Sequence, residues 1–514
     1  MLFYVFVKTT ALKKVSIEGQ YLSYLITRAM VRQLGLTGPV PGIASRYARR
    51  QLWSSLSPLG GLVVPGSGGG RALLSTRITP SQENTYPTYE DKLYLWGASV
   101  EGIPFPNGVF RRNQEGRPGV LNLDSLTQQN GPVQITHMAA GLDHGLVAVQ
   151  VNHPGVAGTW DEVGRGTGEG EFRIVSFGLG TDGQLGLGTA LKERGVGLVQ
   201  GLPKDKMVRS MSGGRAHSVI VLEDGLAYGF GSDRQGQCGG GSKGDGRVGE
   251  ARQIQGIDRV ISVACGMDHT VFLTDEGEVW TCGWGADGQL GREMRGSDAR
   301  APQRVQGALR DEKVIRISSS TDFSLALTED NRVYAWGNNE YGQCCLGYKS
   351  NREVTAKLVM IEDALVDMAA GSMTSLFLTR NGHLWGCGYG ATGGPEPFRS
   401  ASLSSNARIR ERQKMMVNPN RVKGIQRPKH LSATLDYCGV IDGRSGGKCL
   451  LVNGASGDAY GWGLSGGSSR LGLGHRKNQF TAMRISFPDE RKRGAVQELA
   501  LGGNLSMALY SAPI

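Results

Sequence analysis

A two-residue phrase, an aromatic residue or cysteine followed by glycine, recurs seven times along the 514 residues of this chain. It closes a strand-like run and opens a turn at Trp96-Gly97, Phe177-Gly178, Phe230-Gly231, Cys282-Gly283, Trp336-Gly337, Cys387-Gly388 and Trp462-Gly463. Successive glycines lie 81, 53, 52, 54, 51 and 75 residues apart. A period near fifty marks a repeat architecture rather than a conventional single core. The two long intervals hold insertions.

A second marker keeps the same beat. Upstream of most phrases stands a small residue and, after two or three intervening residues, histidine or a substitute. Clear copies are Gly141-Leu142-Asp143-His144, Gly214-Arg215-Ala216-His217 and Gly266-Met267-Asp268-His269. Phe323, Thr374, Tyr437 and Leu505 hold the same phase elsewhere. The best-formed unit, Val263 to Gly291, alternates apolar and polar residues around an Asp275-Glu276-Gly277 turn, a hairpin pattern. About four short strands per unit, repeated seven times, predict an all-β, seven-bladed β-propeller. Lys92 to Gly97 has the phrase without its preceding half, and Leu499 to Tyr510 has the half without its phrase. Pairing these N- and C-terminal strands in one blade would close the ring and leave no free sheet edge. The propeller is expected over residues 90–514, with insertions at 99–134, 152–171 and 394–430.

The repeat governs how tempting motifs are read. Gly178/Gly180/Gly183, Gly283/Gly285/Gly288 and Gly388/Gly390/Gly393 match the dinucleotide fingerprint Gly-x-Gly-x-x-Gly. That loop must open a helix to hold a pyrophosphate. Here it recurs once per unit and runs into residues that start no helix, so these are turns, and an oxidoreductase is the remote alternative. His144, His217 and His269 share one phase, which spreads them around a ring; they are expected to be structural, as are Gly97, Gly178, Gly231, Gly283, Gly337, Gly388 and Gly463. Catalytic residues, cofactor, metal and small-molecule substrate are not expected, because no nucleophile–base pair or phosphate loop emerges. The eight cysteines include no Cys-x-x-Cys pair and read as buried small hydrophobes rather than disulfide or zinc ligands.

The net charge of +11 is uneven. Residues 1–82 hold ten bases and one acid, which leaves only +2 for the remainder. A general affinity for phosphate backbones is therefore unsupported. The leader 1–82, basic and nearly free of acids, reads as a mitochondrial presequence and disordered segment, with 1–29 as an upstream extension before Met30; a basic cytosolic or nuclear tail is the alternative. Within 394–430, nine bases face two acids. Arg408, Arg410, Arg412, Lys414, Arg421 and Lys423 form a candidate contact for RNA or an acidic partner, a solvated loop being the bland reading.

Cys265-Gly266-Met267-Asp268-His269, Asp275-Glu276-Gly277-Glu278-Val279 and Trp336-Gly337-Asn338-Asn339-Glu340-Tyr341-Gly342-Gln343 resemble the regulator of chromosome condensation repeat family. Cys282 to Gln289, with the leader, is most similar to its mitochondrial, exchange-factor-like members. The resemblance implies a mitochondrial propeller in the matrix or peripheral to the inner membrane. It also implies guanine nucleotide exchange on a dynamin-like fusion GTPase, or large-subunit ribosome assembly through ribosomal RNA and assembly factors. An RNA-associated assembly factor without exchange activity is the alternative. No covalent chemistry is implied, and no functional residue is carried over.

Overall fold

The structure is a computed structural model that describes residues 89–100, 103–105, 108–109, 117–121, 123, 133–151, 171–188, 193–240, 245–389, 415–421, 428–433, 437–443, 457–465, 469–488 and 494–513. Apart from one short 3-10 helix, Ala98–Val100, its regular structure is antiparallel strand. The first sheet runs Val133–Ala140, His144–Val151, Glu171–Leu179 and Arg194–Leu198. The second runs Val208–Gly213, His217–Leu222, Ala227–Ser232 and Arg247–Gln253. Val260–Cys265, His269–Thr274, Val279–Trp284 and Asp298–Arg304 form the third, and Val314–Ser320, Phe323–Thr328, Val333–Asn339 and Ser350–Val359 the fourth. The fifth comprises Leu365–Ala370, Thr374–Thr379, Leu384–Tyr389 and Met415–Arg421.

The sixth sheet corrects the expected blade count. Pro428–Ala433, Tyr437–Gly443, Gly457–Gly463 and Gln479–Arg484 join Ala495–Leu501, Ser506–Pro513, Tyr89–Trp96 and Gly119–Leu121 in one eight-stranded sheet. The propeller has six blades, not seven. The physical reason is a backbone bridge, Gly457↔Val496, that hydrogen-bonds two repeats together, so Trp462-Gly463 and Trp96-Gly97 share a sheet. Tyr89–Trp96 pairs along its whole length with Ser506–Pro513, from Tyr89↔Pro513 to Trp96↔Ser506. Pro104–Phe105 and Gly108–Val109 form a separate small hairpin.

The second strand of each of the second, third and fourth sheets is buried at every position. Short apolar runs such as Ser218-Val219-Ile220-Val221-Leu222 are covered on both faces, as a blade between two neighbours must be. Outer strands are largely open to solvent, as in Ser350–Val359, where only Glu353, Ala356 and Val359 are buried. The core accordingly lies in the seams. Ala139, Leu146 and Ile174 of the first sheet pack with Ile220, Phe230 and Val248 of the second. Val271 and Leu273 of the third meet Ala326 and Trp336 of the fourth. The phrase residue reaches toward the preceding sheet: Phe177 joins Leu93, Leu95 and Met507, and Trp462 joins Leu376 and Leu378. Trp96 packs with Ala459 and Phe487 between the two halves of the sixth sheet.

Candidate functional site

Register brings the two sequence markers together. Gly178, Gly231, Gly283, Gly337, Gly388 and Gly463 stand directly opposite His144, His217, His269, Phe323, Thr374 and Tyr437. These glycines and Gly97 have φ between 89° and 128°, a region that L side chains rarely adopt. A Cβ would also run into a carbonyl oxygen, that of Asp143 at Gly178, Asp268 at Gly283 and Asp322 at Gly337. The next residue donates its N–H to that same carbonyl: Leu179 to Asp143 at 2.9 Å, Trp284 to Asp268 at 2.8 Å and Asn338 to Asp322 at 2.8 Å. The glycine thus lets the backbone turn tightly over the start of the neighbouring strand.

The histidines do not converge. Each links its own sheet to the next. His144 Nε2 lies 2.8 Å from Ser218 Oγ, His217 Nε2 lies 3.1 Å from Thr270 Oγ1, and His269 Nε2 lies 2.9 Å from Ser319 Oγ. Ser218 donates its hydroxyl hydrogen to Gln184 O, and Thr270 donates its own to Gln237 O. A hydroxyl has one hydrogen to give, so the imidazole Nε2 is the donor and the Nδ1 atoms of His144 and His217 carry no hydrogen. All three rings are fully buried and neutral, and burial lowers their pKa to about 4 at His144 and about 3 at His217 and His269. Among the described residues no group of three or more His, Cys, Asp or Glu is placed to hold a metal ion.

The turns before these histidines form a hydrogen-bonded collar. Asn504 N–H donates to Leu142 O, Leu142 N–H to Gly214 O, Arg215 N–H to Met267 O and Met267 N–H to Thr321 O, all at 2.7–3.0 Å. The inner strands are stitched below it: Ser210, Ser212 and Ser318 hydroxyls accept the N–H groups of Val263, Cys265 and Ala370 from the next sheet. Arg316 pairs with Asp367 in the same manner at 2.5 Å. Unpaired inner edges are thereby satisfied.

The collar borders an open pocket of about 140 Å³ lined by Gly141, Gly214, Arg215, Met267, Thr321 and Gly503. Half-exposed Arg215 pairs with Asp268 at 2.7 Å. Asp322, beside it, has its pKa raised to about 6, first by burial and then by Asp287 and Asp268. Arg234 and Arg247 bridge to Asp182 farther out. Charges of both signs held on rigid turns suit recognition of a macromolecule. The segments around Gly183 and Gly288 fold as tight turns, closed by Gly183 N–H to Gly180 O and Gly288 N–H to Gly285 O, and no helix follows. Arg408, Arg410, Arg412, Lys414 and Lys423 lie outside the described residues; the backbone of Arg421 ends the strand Met415–Arg421. The leader 1–82 and residues 152–170 are also outside them.

One cysteine reading is corrected. Cys345 and Cys387 form a disulfide, whereas Cys238, Cys265, Cys282 and Cys344 are buried free thiols. The hydroxyl partners of the histidines were missed at the level of sequence, although a signal exists: Ser218 and Thr270 directly follow His217 and His269.

Residues 224–273, 276–327 and 330–378 match the regulator of chromosome condensation (RCC1) repeat. The chain is 26% identical over 422 residues to the mouse RCC1-like G exchanging factor-like protein, spanning 78% of this chain and 84% of that one. Its fold is that of human WBSCR16, at TM-score 0.63 and 23% identity over 83% of this chain and all of that one. Prp20p from Saccharomyces cerevisiae, described with its binding properties to Gsp1p and histones, superposes at TM-score 0.61 and 20% identity over 83% of this chain and 92% of its own. Residues 224–378 therefore carry regulator of chromosome condensation repeats, within a chain that has the β-propeller fold of these solved structures.

Proposed function

We propose that this protein is a non-catalytic mitochondrial platform that promotes guanine nucleotide exchange on a dynamin-like fusion GTPase. The observation that carries the reading is the similarity over 422 residues to a protein named as an RCC1-like G exchanging factor-like protein. The basic, acid-poor leader supports mitochondrial import. Exchange breaks no covalent bond. A face that binds the nucleotide-free GTPase better than the loaded form shifts the equilibrium toward release, and that differential affinity is the whole mechanism. Such a face must not deform, which a collar hydrogen-bonded from sheet to sheet provides. We assign the face to the collar with Arg215, Asp268, Asp287 and Asp322.

The test loads the GTPase with a fluorescent guanine nucleotide and follows its release. Release accelerates with the wild-type protein and less so with Arg215→Glu; a rate unchanged by the wild-type protein overturns the proposal. A second reading, ribosomal RNA binding in large-subunit assembly, is favoured by the nine bases against two acids within 394–430. Crosslinks to ribosomal RNA that disappear when Arg408, Arg410 and Arg412 are neutralised would support it.

A further inference from the structure

Three seams share one packing rule. The last residue of each Gly-Gln-Leu-Gly-type turn is a glycine in left-handed conformation, under the phrase aromatic of the following repeat. Gly186 has φ 63°, and a Cβ there would lie 2.9 Å from the Phe230 ring. Gly291, at φ 67°, would bring a Cβ within 3.1 Å of Trp336, and Gly472, at φ 68°, within 3.0 Å of Trp96. Glycine is required twice over, by backbone conformation and by the ring above it.

The seam between the fourth and fifth sheets breaks the rule at both positions together. Cys345 takes the turn position with φ 57°, and Cys387 takes the place of the aromatic. A side chain fits at 345 only because the ring is gone. The two Cα atoms are 5.9 Å apart, within the range a disulfide spans, and both residues are buried. Cysteine gains nothing at a left-handed position from its backbone, so a covalent partner across the seam is what distinguishes it from glycine there.

We propose that Cys345 and Cys387 form a redox-switched staple across this one seam, closed as a disulfide and open as two thiols. Closure is thiol–disulfide exchange with a small disulfide of the glutathione type. One protein thiolate attacks the glutathione disulfide and releases one reduced glutathione. The second thiolate then attacks the mixed disulfide and releases another, so two protein thiols are oxidised, one glutathione disulfide is reduced and both thiol protons remain with the two glutathiones. With the staple closed the Cys387 sulfur lies 4.0 Å from Gln343 O, the carbonyl equivalent to Gln289 O, which accepts from Trp336 Nε1; once the staple opens, the Cys387 thiol has that carbonyl beside it in place of the indole N–H. Both sulfurs are shielded by the packed seam, so exchange requires that the two sheets part locally. The redox state of the staple then reports, and fixes, the opening of this seam.

The full chain is equilibrated in glutathione buffers of graded ratio, trapped by alkylation and mapped by peptide mass spectrometry, with urea unfolding at each ratio. The expected results are a Cys345–Cys387 cross-linked peptide that appears as glutathione disulfide increases, and a higher urea midpoint in the same samples. Cys345→Gly/Cys387→Trp, which restores the glycine–aromatic pair of the other seams, should have a midpoint that no longer responds to the buffer. Failure to find the cross-link at any ratio, a cross-link through Cys344 instead, or a wild-type midpoint that ignores the buffer would each overturn the proposal. So would a folded double variant that keeps the full response, since the response would then originate elsewhere.

Discussion

Replacing His269 by leucine, the residue this chain itself carries at position 505, should make the protein less sensitive to mild acid. His269 is fully buried, and desolvation alone lowers its pKa from 6.5 to about 3. The folded-state value is depressed, so the unfolded chain binds the extra proton. Stability from this group is complete above pH 6.5 and is lost as pH falls toward 3. At pH 5 the unfolded imidazole is mostly protonated while the buried one stays neutral. The gap of 1.5 pH units, at ~1.4 kcal/mol each, corresponds to about 2 kcal/mol lost between pH 7 and 5. His269→Leu removes that loss. At neutral pH it costs only about 1 kcal/mol for the hydrogen bond, because Ser319 and Ser324 remain bonded to each other at 3.0 Å. The overall pH slope is not diagnostic. Burial raises Glu498 to about 7 and Asp322 to about 6, and such carboxyls weaken the fold as pH rises through that window, opposite in sign to the histidines. The measurement is therefore a difference: urea unfolding of wild type and variant, followed by tryptophan fluorescence, at pH 7 and pH 5. The wild-type loss between the two should exceed the variant's by about 2 kcal/mol. Equal losses would mean that His269 does not enter the fold as a buried neutral ring, and the ladder of imidazole donors would fall with it.

Other perturbations test the seams. Gly337→Ala, at φ 102° and against the Asp322 carbonyl, should cost more than ~2 kcal/mol in urea unfolding. Gly256→Ala, at φ 81° with open space around it, should cost only about 1 kcal/mol in the same assay. Trp336→Ala empties a fully buried site and leaves Gln289 O without its indole donor, so a loss of about 3–5 kcal/mol is expected from calorimetry or denaturant melts. Reducing the Cys345–Cys387 bond reopens a loop with a sequence separation of 42, for which chain entropy gives about 4 kcal/mol, read as the difference between oxidised and reduced unfolding curves.

The fold class was legible because the seven phrases repeat a local need, a glycine that lets the chain cross a neighbouring carbonyl, and a local need leaves a local mark. The phase of the histidines was legible for the same reason. The number of blades was not. Gly457↔Val496 is a backbone bridge, and backbone pairing between two repeats selects no side chain that would betray it. The seam disulfide escaped because its two members are anomalies in different markers, one in the turn and one in the phrase. Only the packing of turn glycines under phrase aromatics in the other seams, such as Gly291 under Trp336, reveals that these positions face each other. The charged collar around Arg215 was invisible because its residues come from separate repeats, each with an unremarkable charge.

The pairing of Leu95 with Met507 has a consequence for biosynthesis. At ~5–20 residues per second, a ribosome needs roughly 20–80 s to add the residues between the two partners. Throughout that interval Tyr89–Trp96, a strand whose second half is the apolar run Leu93-Tyr94-Leu95-Trp96, waits with an open edge and without the neighbour that will cover it. The earlier sheets can collapse as they emerge, but the last seam must wait until Ser506–Pro513 has been made. The newborn chain should therefore depend on chaperone protection that its finished form no longer needs, and loss of the final strand should cost more than its share of the structure.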